Sequence, residues 1–172
     1  YCSAEGVATE LVKNSWTEVD GKRFYVKGRV LIKNCIRKID GFYYGFNSEG
    51  VMYCDNDFWF SKNGQAGWYR AKEDGSLCVN EWYQPSELGP GSNSKYYYGA
   101  EGKAYSGLQI VDGNQYYFSE NGWIYQNEVV TAEDGRKYFC DPEGIATEIT
   151  GDGWISSGEK RYYVKDGKLV KR

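Results

Sequence analysis

The sequence predicts an all-β fold in which tandem β-hairpin repeats are stacked as a β-solenoid. Glycine and aromatic residues are abundant: the 172 residues include 22 glycines, 17 tyrosines, 7 phenylalanines and 6 tryptophans. A short unit containing Asp-Gly or Asn-Gly recurs along the chain. No segment shows the sustained 3.6-residue period of an amphipathic helix. These three observations together favour hairpins over any helical arrangement.

Each repeat reads as strand, turn and strand. Residues 39–52 and 111–124 both place a hydrophobic residue before Asp-Gly, then an aromatic pair, then polar residues that end in glycine. Asp-Gly and Asn-Gly tolerate the positive φ angles of tight hairpin turns, while aromatic and β-branched residues favour strands. The closing glycines recur at the spacing of repeat arrays; they are Gly6, Gly28, Gly50, Gly75, Gly102, Gly122, Gly144 and Gly167. Gly64 does not fit this spacing and therefore predicts an inserted turn.

The two ends of the chain are copies of one unit. Residues 1–34 match residues 139–172 without a gap at roughly 14 of 34 positions. Because the chain starts in mid-repeat, we expect it to be a segment of a longer array or of a protein with a separate functional domain upstream.

The hairpins must stack to be stable. Adjacent aromatics on a strand point to opposite faces, so one ring packs in a core while its neighbour faces outward or the next hairpin. A lone hairpin is marginal in water, and neighbours must supply the burial. Residues 85–94, which contain two of the three prolines, predict a loop or linker between N-terminal repeats 1–84 and C-terminal repeats 95–172.

The composition excludes several classes of function. The chain contains no histidine, which rules out Ser-His-Asp and Cys-His catalysis and imidazole metal sites. The five cysteines show no Cys-x-x-Cys spacing, so they predict buried thiols rather than a zinc or redox site. We expect no metal and no cofactor. No apolar run approaches the length of a membrane span, so we expect no membrane insertion.

The net charge is small, but the charged residues are unevenly distributed along the chain. A formal net charge of −3 does not indicate a nucleic-acid partner. Residues 22–38 nevertheless contain seven cations and no carboxylate. These cations are interpreted either as solvated strand faces or as a patch for an anionic polymer.

Residues 40–44, DGFYY, and 107–118, GLQIVDGNQYYF, resemble the cell-wall-binding repeats of Gram-positive surface proteins. This group includes choline-binding modules, the glucan-binding repeats of streptococcal glucosyltransferases and the repetitive oligopeptides of clostridial toxins. The resemblance implies a non-catalytic, exported hairpin solenoid at the bacterial surface. It also implies aromatic grooves between successive hairpins that hold choline on teichoic acid or a sugar polymer.

A carbohydrate or other cell-wall polymer is the ligand we expect. Choline-binding members place a tryptophan before the Tyr pair, whereas Gln115, Lys137 and Arg161 stand near that position here. A cation would repel choline, while polar groups beside an exposed ring suit sugar hydroxyls. The candidate ligand-binding residues are Trp68, Trp82, Tyr83, Gln115, Trp123, Tyr125 and Trp154, with Trp82-Tyr83 the leading candidate for an exposed platform.

Three alternatives remain open. The same fold could be a structural spacer or protein-interaction stalk without a ligand site, in which case replacing Trp82 and Trp123 together changes no binding. Choline or teichoic acid could be the ligand. A glycosidase would need paired carboxyls in a cleft, but Asp55 with Asp57 and Glu133 with Asp134 are better explained by strand and turn positions. We therefore expect no enzyme activity.

Overall fold

The computed structural model describes residues 12–62, 64–85, 94–157 and 159–170. Every regular element in these ranges is a β-strand, and none is a helix. The all-β hairpin prediction is confirmed. The described residues form two compact units, residues 12–80 with 100–103 and residues 81–99 with 104–170.

The first unit contains one three-stranded and two two-stranded antiparallel sheets, with strand orders β1-β2-β3, β4-β5 and β6-β7. The strands are β1 (Ser15–Val19), β2 (Lys22–Lys27), β3 (Val30–Leu31), β4 (Cys35–Ile39), β5 (Phe42–Phe46), β6 (Asn56–Phe60) and β7 (Gly67–Ala71).

The second unit contains four antiparallel sheets, with strand orders β8-β9, β10-β11, β12-β13-β14 and β15-β16-β17. The strands are β8 (Glu81–Tyr83), β9 (Tyr96–Tyr98), β10 (Gly107–Val111), β11 (Asn114–Phe118), β12 (Glu128–Thr131), β13 (Lys137–Cys140), β14 (Ala146–Ile149), β15 (Gly153–Ser157), β16 (Lys160–Lys165) and β17 (Lys168–Leu169).

The Asp-Gly pairs form the tight turns that the sequence predicts. Asp112 and Gly113 have φ angles of 50° and 81°, and Asp40 and Gly41 have 49° and 93°. Both central residues of each turn are therefore left-handed, which matches the right-handed twist of the flanking strands. In hairpin β6–β7, Phe60 pairs with Gly67 across six intervening residues that include Gly64, so the out-of-step glycine does mark a longer turn.

The duplication of the two ends extends to the strand register. Strands β15, β16 and β17 repeat β1, β2 and β3 at a constant offset, so that Trp154 pairs with Tyr163 as Trp16 pairs with Tyr25. The remainder of the N-terminal copy, including Cys2 and Gly6, lies outside the described residues.

A short third segment ties successive hairpins together within each unit. The Met52 amide donates to the Arg23 carbonyl, the Leu77 amide to the Tyr43 carbonyl, and the Ile124 amide to the Lys95 carbonyl. Each donor follows a turn closed by a glycine with positive φ. Consecutive hairpins thus share backbone hydrogen bonds, whereas one solenoid through all the hairpins remains a prediction.

Adjacent aromatic residues on one strand pack into different hydrophobic clusters, because successive side chains point to opposite faces of the sheet. Tyr116 packs on the cluster of Val111, Phe118 and Ile124, while Tyr117 packs on the cluster of Tyr138, Cys140 and Ala146. Each hairpin therefore contributes rings to its own core and to that of its successor.

The linker and cysteine predictions have different outcomes. Most of segment 85–94 lies outside the described residues, so the proposed domain boundaries remain predictions. Cys78 and Cys140 are buried, as expected, but Cys35 is only half-buried and Cys54 is exposed. The prediction of uniformly buried thiols was wrong at Cys54, which lies in the connection before β6.

Candidate functional site

A groove lies between hairpin β10–β11 and hairpin β12–β13 in the second unit. Its volume is about 630 Å³. We call it the tyrosine groove, and it is lined by Ser106, Gly107, Leu108, Tyr117, Phe118, Glu120, Tyr125, Val130, Thr131, Ala132, Glu133, Asp134, Arg136 and Tyr138.

Three tyrosines from successive elements meet at this groove; Tyr117 and Tyr125 are half-buried, whereas Tyr138 is only 1% exposed. The Tyr117 ring centroid lies 6.0 Å from that of Tyr125 and 5.7 Å from that of Tyr138. The Tyr125 amide donates to the Tyr117 carbonyl at 3.0 Å, which fixes the segment after the hairpin beside the hairpin itself. The strands and the backbone hydrogen bond therefore position the rings before any ligand arrives.

One side of the groove carries an organised charge pair. The Arg136 Nε atom lies 2.7 Å from Asp134 Oδ2, and the Arg136 guanidinium lies 5.7 Å from the Tyr138 ring centroid. The Arg136 backbone amide also donates to Asp134 Oδ1 at 3.0 Å. The amide and guanidinium hydrogen bonds hold the pKa of Asp134 below its usual range. Asp134 is thus a fixed carboxylate acceptor at neutral pH.

The Tyr117 hydroxyl remains a protonated donor at neutral pH. Burial raises the pKa of Tyr117 above its ordinary value, and the nearby Glu133 and Asp134 carboxylates add to that rise. The groove therefore combines ring faces, hydroxyl donors and carboxylate acceptors. Such a set can cover the apolar face of a sugar and hydrogen-bond its hydroxyls.

Each carboxylate pair singled out from the sequence has at least one member beside an arginine. Asp55 and Asp57 both lie beside the Arg70 guanidinium. Glu133 and Asp134 are at the turn that follows β12, where Asp134 is engaged by Arg136. In the described ranges, no group of three His, Cys, Asp or Glu side chains is placed to hold a metal ion. The same ranges contain no helix long and apolar enough to span a bilayer.

Trp82 lies in an aromatic cluster and does not line the tyrosine groove. Its ring centroid is 5.2 Å from Tyr97 on the paired strand, and 5.0 Å and 6.1 Å from Tyr116 and Phe118 on the next hairpin. Trp16 has the same surroundings in the first unit, at 5.1 Å from Tyr25, 4.8 Å from Tyr44 and 6.0 Å from Phe46. Trp82 is half-buried rather than an exposed platform.

Of the seven candidate ligand-binding residues named from the sequence, only Tyr125 lines the tyrosine groove. Tyr83 lies near Tyr96 and Tyr98, and Gln115 is half-buried opposite Ile110. Trp68 meets the exposed Trp59 edge to face. Trp123 is 36% exposed and Trp154 is 54% exposed. The structure thus disperses the predicted set over both units.

Sequence reasoning missed Tyr117, Tyr138, Arg136 and Glu133 as groove residues. Tyr117 could have been identified from the sequence, because strand alternation places one ring of each Tyr pair toward the next hairpin. Tyr138 and Arg136 belong to that next hairpin, and their place beside Tyr117 depends on how the two hairpins pack.

No family model matches the chain. Two curated proteins are similar to parts of it. Glucosyltransferase-S of Streptococcus mutans is 30% identical over 118 residues, which is 67% of this chain and 7% of that protein. Glucosyltransferase-I of Streptococcus downei is 36% identical over 81 residues, which is 44% of this chain and 5% of that protein. The chain therefore spans only a small fraction of these relatives.

Solved structures share its fold. CbpJ from Streptococcus pneumoniae TIGR4 matches with a TM-score of 0.57 and 21% identity, covering 91% of this chain and 65% of that one. The modular autolysin LytC from Streptococcus pneumoniae, solved in complex with a synthetic peptidoglycan ligand, matches with a TM-score of 0.51 and 19% identity. That match covers all of this chain and 42% of LytC. These likenesses agree with the hairpin-repeat fold expected from the sequence.

Proposed function

We propose that this chain, which consists of repeats of the cell-wall-binding family, is a non-catalytic module that binds a carbohydrate polymer at the bacterial surface. The tyrosine groove is the proposed binding site. Its ligand is a neutral glycan, of which one or two sugar rings occupy the groove while the polymer continues beyond it.

The observation that carries this proposal is that the half-buried rings of Tyr117 and Tyr125 meet in the groove, with Tyr117 packed on the buried Tyr138 of the next hairpin. Tyrosine offers a rigid apolar face with a polar end, which suits a sugar ring that is apolar on its faces and polar on its edge. Thr131, Glu133 and Asp134 on the groove wall supply acceptors for sugar hydroxyls. Because Tyr117 is on a strand and the Tyr125 amide is hydrogen-bonded to the Tyr117 carbonyl, little ordering cost opposes binding at these rings.

The relatives support a glucose polymer. Both are named glucosyltransferases, and each aligns with this chain over only a small part of its length. A segment of this kind would keep a larger protein on its polysaccharide, with the chemistry elsewhere. We infer on the same basis that the chain acts outside the cell.

The state of the carboxylates supports a binding role over a hydrolytic one. A glycosidase needs a carboxyl with a raised pKa to protonate the leaving oxygen. Asp134, the acidic group best placed in the groove, has a lowered pKa and is held by Arg136. It therefore serves as a hydrogen-bond acceptor, not as a general acid.

The proposal is tested by isothermal titration of the chain with dextran, with Tyr125→Ala as the groove variant. Loss of one ring face should weaken dextran binding by about tenfold. Tyr125→Phe keeps the ring and removes one hydroxyl, and should retain most of the affinity. Tyr43→Ala, which removes a half-buried ring of the first unit that does not line the tyrosine groove, is the matched control.

Equal affinity of Tyr125→Ala and the native chain for dextran would refute the tyrosine groove as the site. Absence of binding to dextran and to peptidoglycan fragments would favour the structural spacer instead. The variant lacking both Trp82 and Trp123 belongs in the same series, because the spacer alternative requires its binding to be the same as that of the native chain.

Choline on a cell-wall polymer is a second candidate ligand, and one observation favours it. Glu120 and Glu133 give the groove carboxylates beside its rings, a combination that attracts a quaternary ammonium. Against it, the Arg136 guanidinium already lies over Tyr138. Choline chloride should therefore fail to displace bound dextran, and displacement at millimolar choline would shift the assignment to a choline-bearing polymer.

A further inference from the structure

The first unit contains a groove of a different chemical character. It lies between hairpin β1–β2 and hairpin β4–β5, has a volume of about 320 Å³, and is built only of first-unit residues. We call it the basic groove, and it is lined by Asn14, Tyr25, Lys27, Arg37, Lys38, Ile39 and Asp40.

The basic groove and the tyrosine groove occupy equivalent places in the repeat. Tyr25 and Tyr117 each stand four residues after the glycine of an Asp-Gly turn, and each lies opposite the second residue of the first strand of its hairpin. In both grooves the other wall is the first strand of the following hairpin. The same architecture therefore offers two grooves whose side chains can be compared directly.

The following hairpins begin after Asn34 and Asn127, both of which have positive φ. Counting from these asparagines aligns Arg37 with Val130 and Lys38 with Thr131. An apolar and a neutral polar residue in the tyrosine groove are thus replaced by two cations in the basic groove. The ring contributed by the preceding hairpin, Tyr25 or Tyr117, is kept.

The charge of the wall is reversed between the two grooves. The tyrosine groove has three carboxylates, Glu120, Glu133 and Asp134, against the single cation Arg136. The basic groove has three cations against the single carboxylate Asp40. A ligand that is neutral or cationic suits the first groove, and a ligand that carries negative charge suits the second.

The three cations of the basic groove are not neutralised by ion pairs. Over the part of the chain that the structure describes, none of Lys27, Arg37 and Lys38 has a carboxylate oxygen within 4 Å. The Lys38 ammonium lies 5.4 Å from the Tyr43 ring centroid, a cation–π contact that stabilises the ammonium without cancelling its charge. Like charges that converge on one groove repel one another, and a bound anion would relieve that repulsion.

We propose that the basic groove binds a phosphate group of a phosphodiester-linked polyol or sugar polymer. Arg37 supplies a planar fork of N–H donors and Lys27 a point charge, a combination that suits phosphate oxygens. Lys38 points from the opposite face of β4 toward Tyr43 and adds to the positive potential of the wall. The Tyr25 ring lies beside the phosphate and covers the carbon skeleton of the adjoining polyol or sugar. This site is separate from the tyrosine groove, and it does not depend on the neutral-glycan proposal.

The test is titration of the chain with a short poly(glycerol phosphate) at low ionic strength. The groove variant is Lys27→Gln/Arg37→Gln/Lys38→Gln. The control is Lys22→Gln/Arg29→Gln/Lys33→Gln, which removes the same charges from exposed positions of the same basic segment that do not line the groove. The groove variant should bind about tenfold more weakly, and the control should lose less than about threefold.

Equal losses in the two triple variants would overturn the site, because they would show that only the summed charge attracts the polymer. Tyr25→Ala provides a second measurement that leaves the charges intact. It should weaken poly(glycerol phosphate) but not inorganic phosphate, since only the polymer has a carbon skeleton for the ring. An equal effect on both would exclude the proposed role of Tyr25.

Two further arms identify the source of the phosphate and separate this site from the tyrosine groove. Vesicles containing phosphatidylglycerol should bind more weakly than the free polymer at equal phosphate, and the reverse result would overturn the polymer assignment. Dextran affinity should be unchanged in the groove triple variant and reduced in Tyr125→Ala. Loss of dextran binding in the basic-groove variant would contradict the independence of the two sites.

Discussion

Trp154 and Tyr163 face each other across hairpin β15–β16, with ring centroids 5.2 Å apart and ring planes at 69°. Trp16 and Tyr25 adopt the same geometry, as do Trp82 and Tyr97. In each of the three pairs a cation, Arg161, Arg23 or Lys95, lies over the tryptophan ring. The local hairpin sets this arrangement, because it survives in Trp154, which is 54% exposed.

The difference between the pairs is in what covers them. Trp82 also contacts Tyr116 and Phe118 of the following hairpin, whereas Trp154 has only its hairpin partner among the ring contacts of the described residues. We therefore predict that Trp82→Ala lowers the free energy of unfolding by about 2–4 kcal/mol and Trp154→Ala by less than about 1 kcal/mol. Urea denaturation followed by circular dichroism measures both. Comparable losses would show that covering by the next hairpin adds little.

Gly75 is predicted to be the more sensitive of two glycines with similar backbone angles. Its φ is +87°, and an added Cβ would collide with the Sδ and Cε atoms of Met52. Gly41 has a φ of +93° but no atom within 4 Å of an added Cβ. Gly41→Ala should cost about 1 kcal/mol from backbone strain alone, and Gly75→Ala about 2–3 kcal/mol because Met52 must also move. Thermal unfolding of the two variants checks the difference, which should vanish if Met52 relaxes freely.

The stability of the second unit should fall at alkaline pH through Cys140. Burial raises the pKa of the Cys140 thiol from about 9 to about 12, with further contributions from Glu128 and Asp141. Between these values the unfolded chain has lost the proton and the folded chain keeps it, so unfolding becomes easier as the pH rises. The contribution of Cys140 to the free energy of unfolding is intact below about pH 9 and declines above that pH by up to about 1.4 kcal/mol per pH unit.

Unfolding in urea at pH 8 to 10 measures this effect. Cys140→Ala should flatten the dependence on pH relative to the native chain, while Cys54→Ala, which removes an exposed thiol, should leave it unchanged. An unchanged slope in Cys140→Ala would mean that other groups cause the alkaline destabilisation.

The hairpins themselves could be predicted with little ambiguity. Asp112-Gly113 defines a two-residue turn by its backbone preferences, and the alternation of the flanking residues then sets the register from Val111 and Asn114 outward. The duplication of Trp16 and Tyr25 at Trp154 and Tyr163 likewise follows from the partial match of the two local sequences. These features depend on neighbours in the chain, which the sequence shows directly.

The grooves could be predicted only in kind. Alternation indicates that Tyr117 faces the next hairpin, but it does not indicate that Tyr138 and Arg136 meet it there. Trp82 was the leading platform candidate because it precedes a loop, yet Tyr116 and Phe118 from the next hairpin partly bury it. Exposure of a ring is a property of its neighbours and not of its own segment.

The sequence by itself determined the all-β hairpin repeats, their turns and the uneven distribution of charge, because turn chemistry and the two-residue period act over a few neighbouring residues. Only the tertiary structure decided which rings meet across successive hairpins, and that the cations of β2 and β4 converge on one groove while the acidic groups near Tyr117 line another. These contacts join residues from different hairpins, so they depend on packing geometry that no local pattern encodes.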